Sequence, residues 1–281
     1  MISGRLLLLL MLVVPAEASS AAERTGMLAG LSVAVWDDGA AGPRPIVIFS
    51  HGFHGCATQS RFLMSALAAD GYLVVAPNHR DAICDGNMAR RREPPEMPLR
   101  FPAEWSDTTY RDRADDIRRL IAALHVDAAL APRIDWRRLA LAGHSLGGYT
   151  VLALAGAWPS WRLEGVKAVL AMAPYSQPFV LRRTLAGLSA PVMYQSGTLD
   201  LGITPALTRP AGAYDLSPAP KFLVDFSGAA HLAWTNSGLI AHAQIVEYGC
   251  AFLDRYVKGE GARPALTNPA PGVALLRFET R

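Results

Sequence analysis

Seven short runs, 33–36, 46–50, 73–76, 139–142, 168–171, 192–195 and 222–225, are apolar at nearly every position and end in turn residues. Continuous apolarity, rather than alternation, is the pattern of strands buried on both faces. Between the runs lie stretches with helical apolar spacing, of which 59–70, 110–124, 146–157 and 239–258 are the clearest. Strand and helix therefore alternate, which predicts an α/β fold: a mostly parallel sheet with helices on both faces. The chain has 281 residues, 51% of them hydrophobic, enough for one large core. No internal repeat or dividing linker appears, and no large cap insertion is expected.

The N-terminus reads as a leader. Arg5 precedes an apolar run over 6–14, and Pro15-Ala16-Glu17-Ala18 offers small residues at cleavage spacing. A signal peptide over 1–18 and a single domain over 19–281 are expected, with the product secreted or periplasmic. The run is shorter than the roughly 20 residues of a bilayer span, and later apolar runs are soon interrupted, so stable membrane insertion is not expected. Export permits disulfides. Of the three cysteines, Cys56 and Cys84 follow neighbouring strands at one end of the sheet and are the candidate pair. Cys250 lies in the last helix and is left as a free thiol. Three reduced thiols are the alternative.

The chemistry centres on Gly143-His144-Ser145-Leu146-Gly147-Gly148. This is a G-x-S-x-G turn placed between a strand and a helix, the context in which that pattern presents a nucleophilic serine. Glycines at 143 and 147 allow the sharp turn, and Ser145 is pushed out at the helix N-terminus, where the Leu146 N–H faces any oxyanion that forms. A second donor is expected from the glycine-rich loop His51-Gly52-Phe53-His54-Gly55 after the 46–50 strand, with the Phe53 N–H as candidate. Nucleophile, acid and base follow one another along the chain in this architecture. His231, after the last apolar run, is the expected general base, and Asp200, after the 192–195 strand, the expected acid. Asp215 and Asp225 are weaker candidates. His51, His54 and His144 read as packing residues, and His79, His125 and His242 lie in the wrong segments.

Other chemistries find no footing. The histidines and cysteines lack metal-ligand spacing, and no dinucleotide or phosphate-loop glycine pattern occurs. Neither metal nor cofactor is expected. A net charge of +3, which a leader carrying Arg5 and Glu17 does not change, makes no nucleic-acid footprint. The densest basic run, Arg90-Arg91-Arg92, sits beside Glu93 and Glu96 as a solvated loop. The long stretches 84–107 and 197–220, rich in proline with arginine or glycine, read as irregular loops. Both follow strand C-termini and are candidate walls of a site. Phe53, Trp105, Tyr175 and Trp234 are candidate pocket aromatics. The sequence carries no signal of oligomeric state.

Three pieces together, Ile46-Val47-Ile48-Phe49-Ser50-His51-Gly52, Val74-Val75-Ala76-Pro77-Asn78-His79-Arg80-Asp81 and the Gly143–Gly148 turn, resemble the α/β-hydrolase superfamily. Within it they are similar to the branch of platelet-activating-factor acetylhydrolases and dienelactone-hydrolase-like serine esterases. Two departures stand out. Dienelactone hydrolases use cysteine where this chain has Ser145. The acetylhydrolases carry their acid one strand earlier, where this chain reads Met172-Ala173-Pro174-Tyr175-Ser176. The leader, the turn and an aspartate after the penultimate core strand also resemble secreted polyester-degrading esterases. The resemblance implies an exported esterase acting on a small-molecule, lipid or polymer ester through an acyl-enzyme. Acyl transfer or peptide cleavage on the same residues is the alternative, and a non-catalytic binding module a remoter one.

Overall fold

The computed structural model describes residues 21–84 and 88–281, so the expected leader over 1–18 lies outside the described residues. Nine strands form one sheet: β1 (Ala22–Leu28), β2 (Leu31–Asp37), β3 (Arg44–Ser50), β4 (Leu73–Pro77), β5 (Ile134–His144), β6 (Val166–Met172), β7 (Val192–Gly197), β8 (Lys221–Phe226) and β9 (Val273–Glu279). Their spatial order is β1-β2-β4-β3-β5-β6-β7-β8-β9. β3 to β8 are mutually parallel, while β1, β2 and β9 join antiparallel. The helices are α1 (Arg61–Ala69), α2 (Arg111–Val126), α3 (Leu146–Leu152), α4 (Gln177–Arg182), α5 (Thr204–Thr208), α6 (Ala213–Leu216) and α7 (His242–Leu253). They cover both sides of the sheet, with α1 packed against α7.

The seven apolar runs are the seven inner strands. Ile46, Val47, Ile48 and Phe49 of β3 are wholly buried, each side chain contributing about 1.5–3 kcal/mol by leaving water. On α2, Ala114, Ile117, Leu120 and Leu124 recur at three- and four-residue spacing and are wholly buried, while Arg111 and Asp115 point outward. Two strands were not expected. β1 and β9 are largely exposed edge strands whose mixed composition shows no continuous apolar run. The stretch 197–220, expected to be irregular, contains the short helices α5 and α6. The helix expected over 146–157 is regular only to Leu152; a wider turn follows, and Gly156 breaks it at φ 122°. Among the described residues no helix is long and apolar enough to cross a membrane.

Register places the chemistry. Ser50 pairs with Gly143, His144 with Met172, Met172 with Gln195, and Ser196 with Asp225. The C-terminal ends of β3, β5, β6, β7 and β8 therefore lie side by side, and the loops leaving them share one rim, where parallel sheets gather their ligand sites.

Candidate active site

Between β5 and α3 the backbone of Ser145 adopts φ 55° and ψ −115°, a conformation that residues with a Cβ rarely take. Three bonds hold it there. Ser145 N donates to Met172 O at 3.0 Å, and Ser145 O accepts from the N–H groups of Tyr149 and Tyr175, both at 3.0 Å. The turn closes only because 143 and 147 are glycine: a Cβ on Gly147 would strike the Ser50 carbonyl, and one on Gly143 the backbone of Gly147.

His231 opens a short 3₁₀ turn after β8. Its Nδ1 lies 2.7 Å from Asp200 Oδ2 and its Nε2 2.9 Å from Ser145 Oγ. A carboxylate can only accept, so Nδ1 carries the proton and Nε2 is left as acceptor for the serine hydroxyl. Asp200 is buried, on the loop leaving β7. Asp225 is engaged elsewhere, accepting from Ser196 Oγ at 2.9 Å; burial and the nearby Asp200 charge raise its pKa. Asp215 accepts from Arg277 and from Ala211 N, bonds unconnected with His231.

His144 turns away from Ser145. Its Nε2 donates to His231 O at 2.9 Å, and its Nδ1 accepts from Gln59 Nε2 at 3.1 Å. Burial, with the neighbouring His231, depresses its pKa to about 3, so it stays neutral and serves as a prop beneath the His231 turn. Gln59, which no sequence signal marked, also accepts from Gly52 N at 3.1 Å.

Phe53 lies on the loop after β3, and Leu146 is the first residue of α3, directly after Ser145. The Phe53 N–H has no acceptor among the described residues, and a first-turn helix N–H has none within its helix. Phe53, Leu146, Ser145, His231 and Asp200 border one cavity of about 410 Å³, walled further by Leu99, Arg100, Tyr175, Gln177 and Ile203. Both long loops thus contribute walls. Of the aromatics expected there, Phe53 and Tyr175 line the cavity. Trp105 and Trp234 do not: both are wholly buried. Trp105 packs behind Tyr175 at 4.6 Å between ring centroids, and Trp234 donates to Gln195 Oε1 at 2.9 Å. They are core residues, since an indole with its N–H satisfied inside the protein has no need of the cavity.

Cys56 and Cys84 form a disulfide with Cα atoms 5.8 Å apart, joining the loops after β3 and β4. Cys250 is a free, buried thiol whose pKa burial pushes up to about 12. No group of three His, Cys, Asp or Glu among the described residues is arranged to hold a metal ion.

A second array with the same residue types lies beneath the rim. Ser50 Oγ is 2.9 Å from His79 Nε2, and His79 Nδ1 is 3.0 Å from Asp116 Oδ2. Ser50 is wholly buried and lies in regular strand. No sequence signal distinguished this array.

Comparison with known proteins gives two family matches. Residues 107–272, more than half the chain, match a PET hydrolase-like family, and residues 38–105 match platelet-activating factor acetylhydrolase, isoform II. Among curated relatives, Cutinase 2 of Thermobifida cellulosilytica is 29% identical over 173 residues, covering 59% of this chain and 61% of its own length. Cutinase cut1 of Thermobifida fusca is 29% identical over 173 residues, covering 59% and 50%. Cutinase est2 of Thermobifida alba is 24% identical over 236 residues, covering 82% and 65%. The chain thus spans between half and two thirds of the length of these relatives.

Proposed function

Because the chain belongs to the PET hydrolase-like family of α/β-hydrolases, we propose that it is an exported serine esterase hydrolysing carboxylic esters, polyesters of the kind cutinases attack among them. The observation that carries this reading is the unbroken sequence Ser145 Oγ, His231 Nε2, His231 Nδ1, Asp200 Oδ2, with steps of 2.9 and 2.7 Å, at a cavity that Phe53 and Leu146 also border.

In this reading Ser145 Oγ attacks the ester carbonyl while His231 Nε2 takes its proton. The carbonyl oxygen gains charge as the tetrahedral intermediate forms, and the Phe53 and Leu146 N–H groups receive it. Asp200 holds the protonated Nδ1 in place and stabilises the imidazolium. His231 then returns the proton to the departing alcohol, leaving an acyl group on Ser145. Water, deprotonated by the same Nε2, releases the acid. The side chain of His231 is 36% exposed, so solvent reaches the ring that activates the hydrolytic water.

Two features support export. The 1–18 stretch has the charge and apolar order of a leader, and a disulfide suits an oxidising compartment. The test is turnover of a chain-length series of p-nitrophenyl esters and of a dispersed polyester. Wild type should hydrolyse both classes and Ser145→Ala neither. Equal turnover by the two proteins would refute the reading.

A further inference from the structure

Beneath the Phe53 loop a hydrogen-bond network takes up most of its backbone N–H groups. Gly52 N donates to Gln59 Oε1 at 3.1 Å, His54 N to Asp81 Oδ2 at 3.0 Å, and Gly55 N to Gly52 O at 2.9 Å. From residue 52 to 55, only the Phe53 N–H lacks an acceptor among the described residues. Its peptide partner, the Gly52 carbonyl, is the opposite case: besides Gly55 N it accepts from His51 Nδ1 at 2.7 Å and Arg113 Nη2 at 3.3 Å. In a planar trans peptide the C=O and the following N–H point in opposite directions. Whatever fixes the Gly52 carbonyl on the buried side therefore aims the Phe53 N–H the other way, and Phe53 borders the same cavity as Ser145.

We propose that His51 and Arg113 are positioning residues of the oxyanion site: they anchor the Gly52 carbonyl so that the Phe53 N–H is already aimed when the ester binds. This rests on the reading of Ser145, His231 and Asp200 as an esterase site. Both anchors are themselves fixed. His51 Nε2 accepts from His79 N at 3.0 Å, which leaves the His51 proton on Nδ1, where it is donated. Arg113, wholly buried on α2, also donates to His51 O at 2.8 Å, and its Nη2 reaches both Asp81 oxygens at 2.8 Å. A lysine could not serve so many acceptors from one nitrogen. Rigid support of this kind matters because oxyanion donors act only where they are held before the charge develops.

Variants at residue 51 separate this role from simple packing. Asparagine places an amide N–H near the position of Nδ1 but cannot reach His79 N, whereas glutamine reaches toward the Nε2 position and removes the shortest of the three bonds to the Gly52 carbonyl, the one from residue 51. On p-nitrophenyl butyrate, His51→Leu and His51→Gln should each lower kcat about tenfold or more, short of the roughly 10²–10³-fold of deleting a donor outright. KM should change little, and His51→Asn should recover most of the kcat. Binding of a boronic acid that forms a tetrahedral adduct on Ser145 should weaken in step with kcat. If His51→Leu does not fold, the order of His51→Asn over His51→Gln decides. Equal kcat in those two, or wild-type kcat in His51→Gln, overturns the proposal. Ser145→Ala, assayed alongside, reports on the underlying reading: if it retains wild-type activity, that reading falls and the positioning role falls with it; if it is inactive while His51→Gln is unimpaired, only the positioning role falls.

Discussion

Ser145–His231–Asp200 and Ser50–His79–Asp116 use the same atoms in the same order. In each, a serine Oγ lies 2.9 Å from a histidine Nε2, and the Nδ1 of that ring faces an aspartate Oδ2, at 2.7 Å in one and 3.0 Å in the other. The surroundings differ. Ser145 sits on a strained turn at a cavity that Phe53 and Leu146 also border; Ser50 sits in a regular strand, wholly buried, with Arg113 Nη1 3.4 Å from its oxygen. A cavity of about 420 Å³ borders His79 and Asp116 but not Ser50. The His231 side chain is 36% exposed, the His79 side chain 0%. A Ser–His–Asp hydrogen-bond chain is therefore not in itself a catalyst. A cavity at the serine, a serine projected out of the strand and, in the proposed mechanism, donors for the oxyanion distinguish the two, and the buried array is left to serve as a girder under the 51–55 loop.

The comparison is most exposed at the serines. Ser145→Ala should lower kcat by about 10⁴–10⁶-fold with the fold intact, because nucleophile and base act as a unit. Ser50→Ala should change kcat only a few-fold and instead cost about 1–3 kcal/mol of stability by stranding a buried hydrogen-bonding partner. Steady-state kinetics with urea unfolding checks both; comparable kcat losses would erase the distinction. The aspartates should divide likewise. Asp200→Asn should cost about 10⁴-fold in kcat, since an amide favours the wrong imidazole tautomer, while Asp116→Asn should act mainly on the unfolding midpoint, and Asp225→Asn and Asp215→Asn should leave kcat within a few-fold. A crippled but folded Asp225→Asn would transfer the acid role away from Asp200.

Titration sharpens the contrast further. Burial, with the Arg113 charge, holds the pKa values of His51 and His79 well below 6.5, and burial does the same for His144. The unfolded chain binds protons as pH falls through 6.5 and the folded chain does not. The stability from keeping these rings neutral is thus present above that pH and is lost below it, by up to about 1.4 kcal/mol per pH unit for each ring; for His144 the loss continues down to about pH 3. Urea unfolding at pH 7, 6 and 5 should show falling stability; a flat profile would mean that these rings are not held neutral.

What the sequence disclosed follows from where each signal resides. The inner strands were legible because burial on both faces leaves continuous apolar runs, and the residues that meet in the Ser145–His231–Asp200 hydrogen-bond chain were singled out because each lies a few residues past the end of such a strand. β1 and β9 have no such run, being exposed along much of their length. α5 and α6, five and four residues long, are too short to show a helical period. Trp105 and Trp234 illustrate a different limit: an aromatic behind a pocket wall and one on it are the same letter. The anchoring by Arg113 of a carbonyl 61 residues away is a tertiary fact with no local trace.

The hydrogen-bonded groups at the rim belong to loops after β3, β5, β7 and β8, and the sheet order sets β6 between β5 and β7. During synthesis, Phe53 and Ser145 emerge well before Asp200 and His231. In the proposed mechanism a nascent chain thus holds Ser145 long before the residue that would deprotonate it, and becomes competent only once β8 docks. On that proposal ester turnover also gauges the completed sheet: any partly opened form that releases β7 or β8 disconnects His231 from Ser145 and falls silent, even with the N-terminal half still folded.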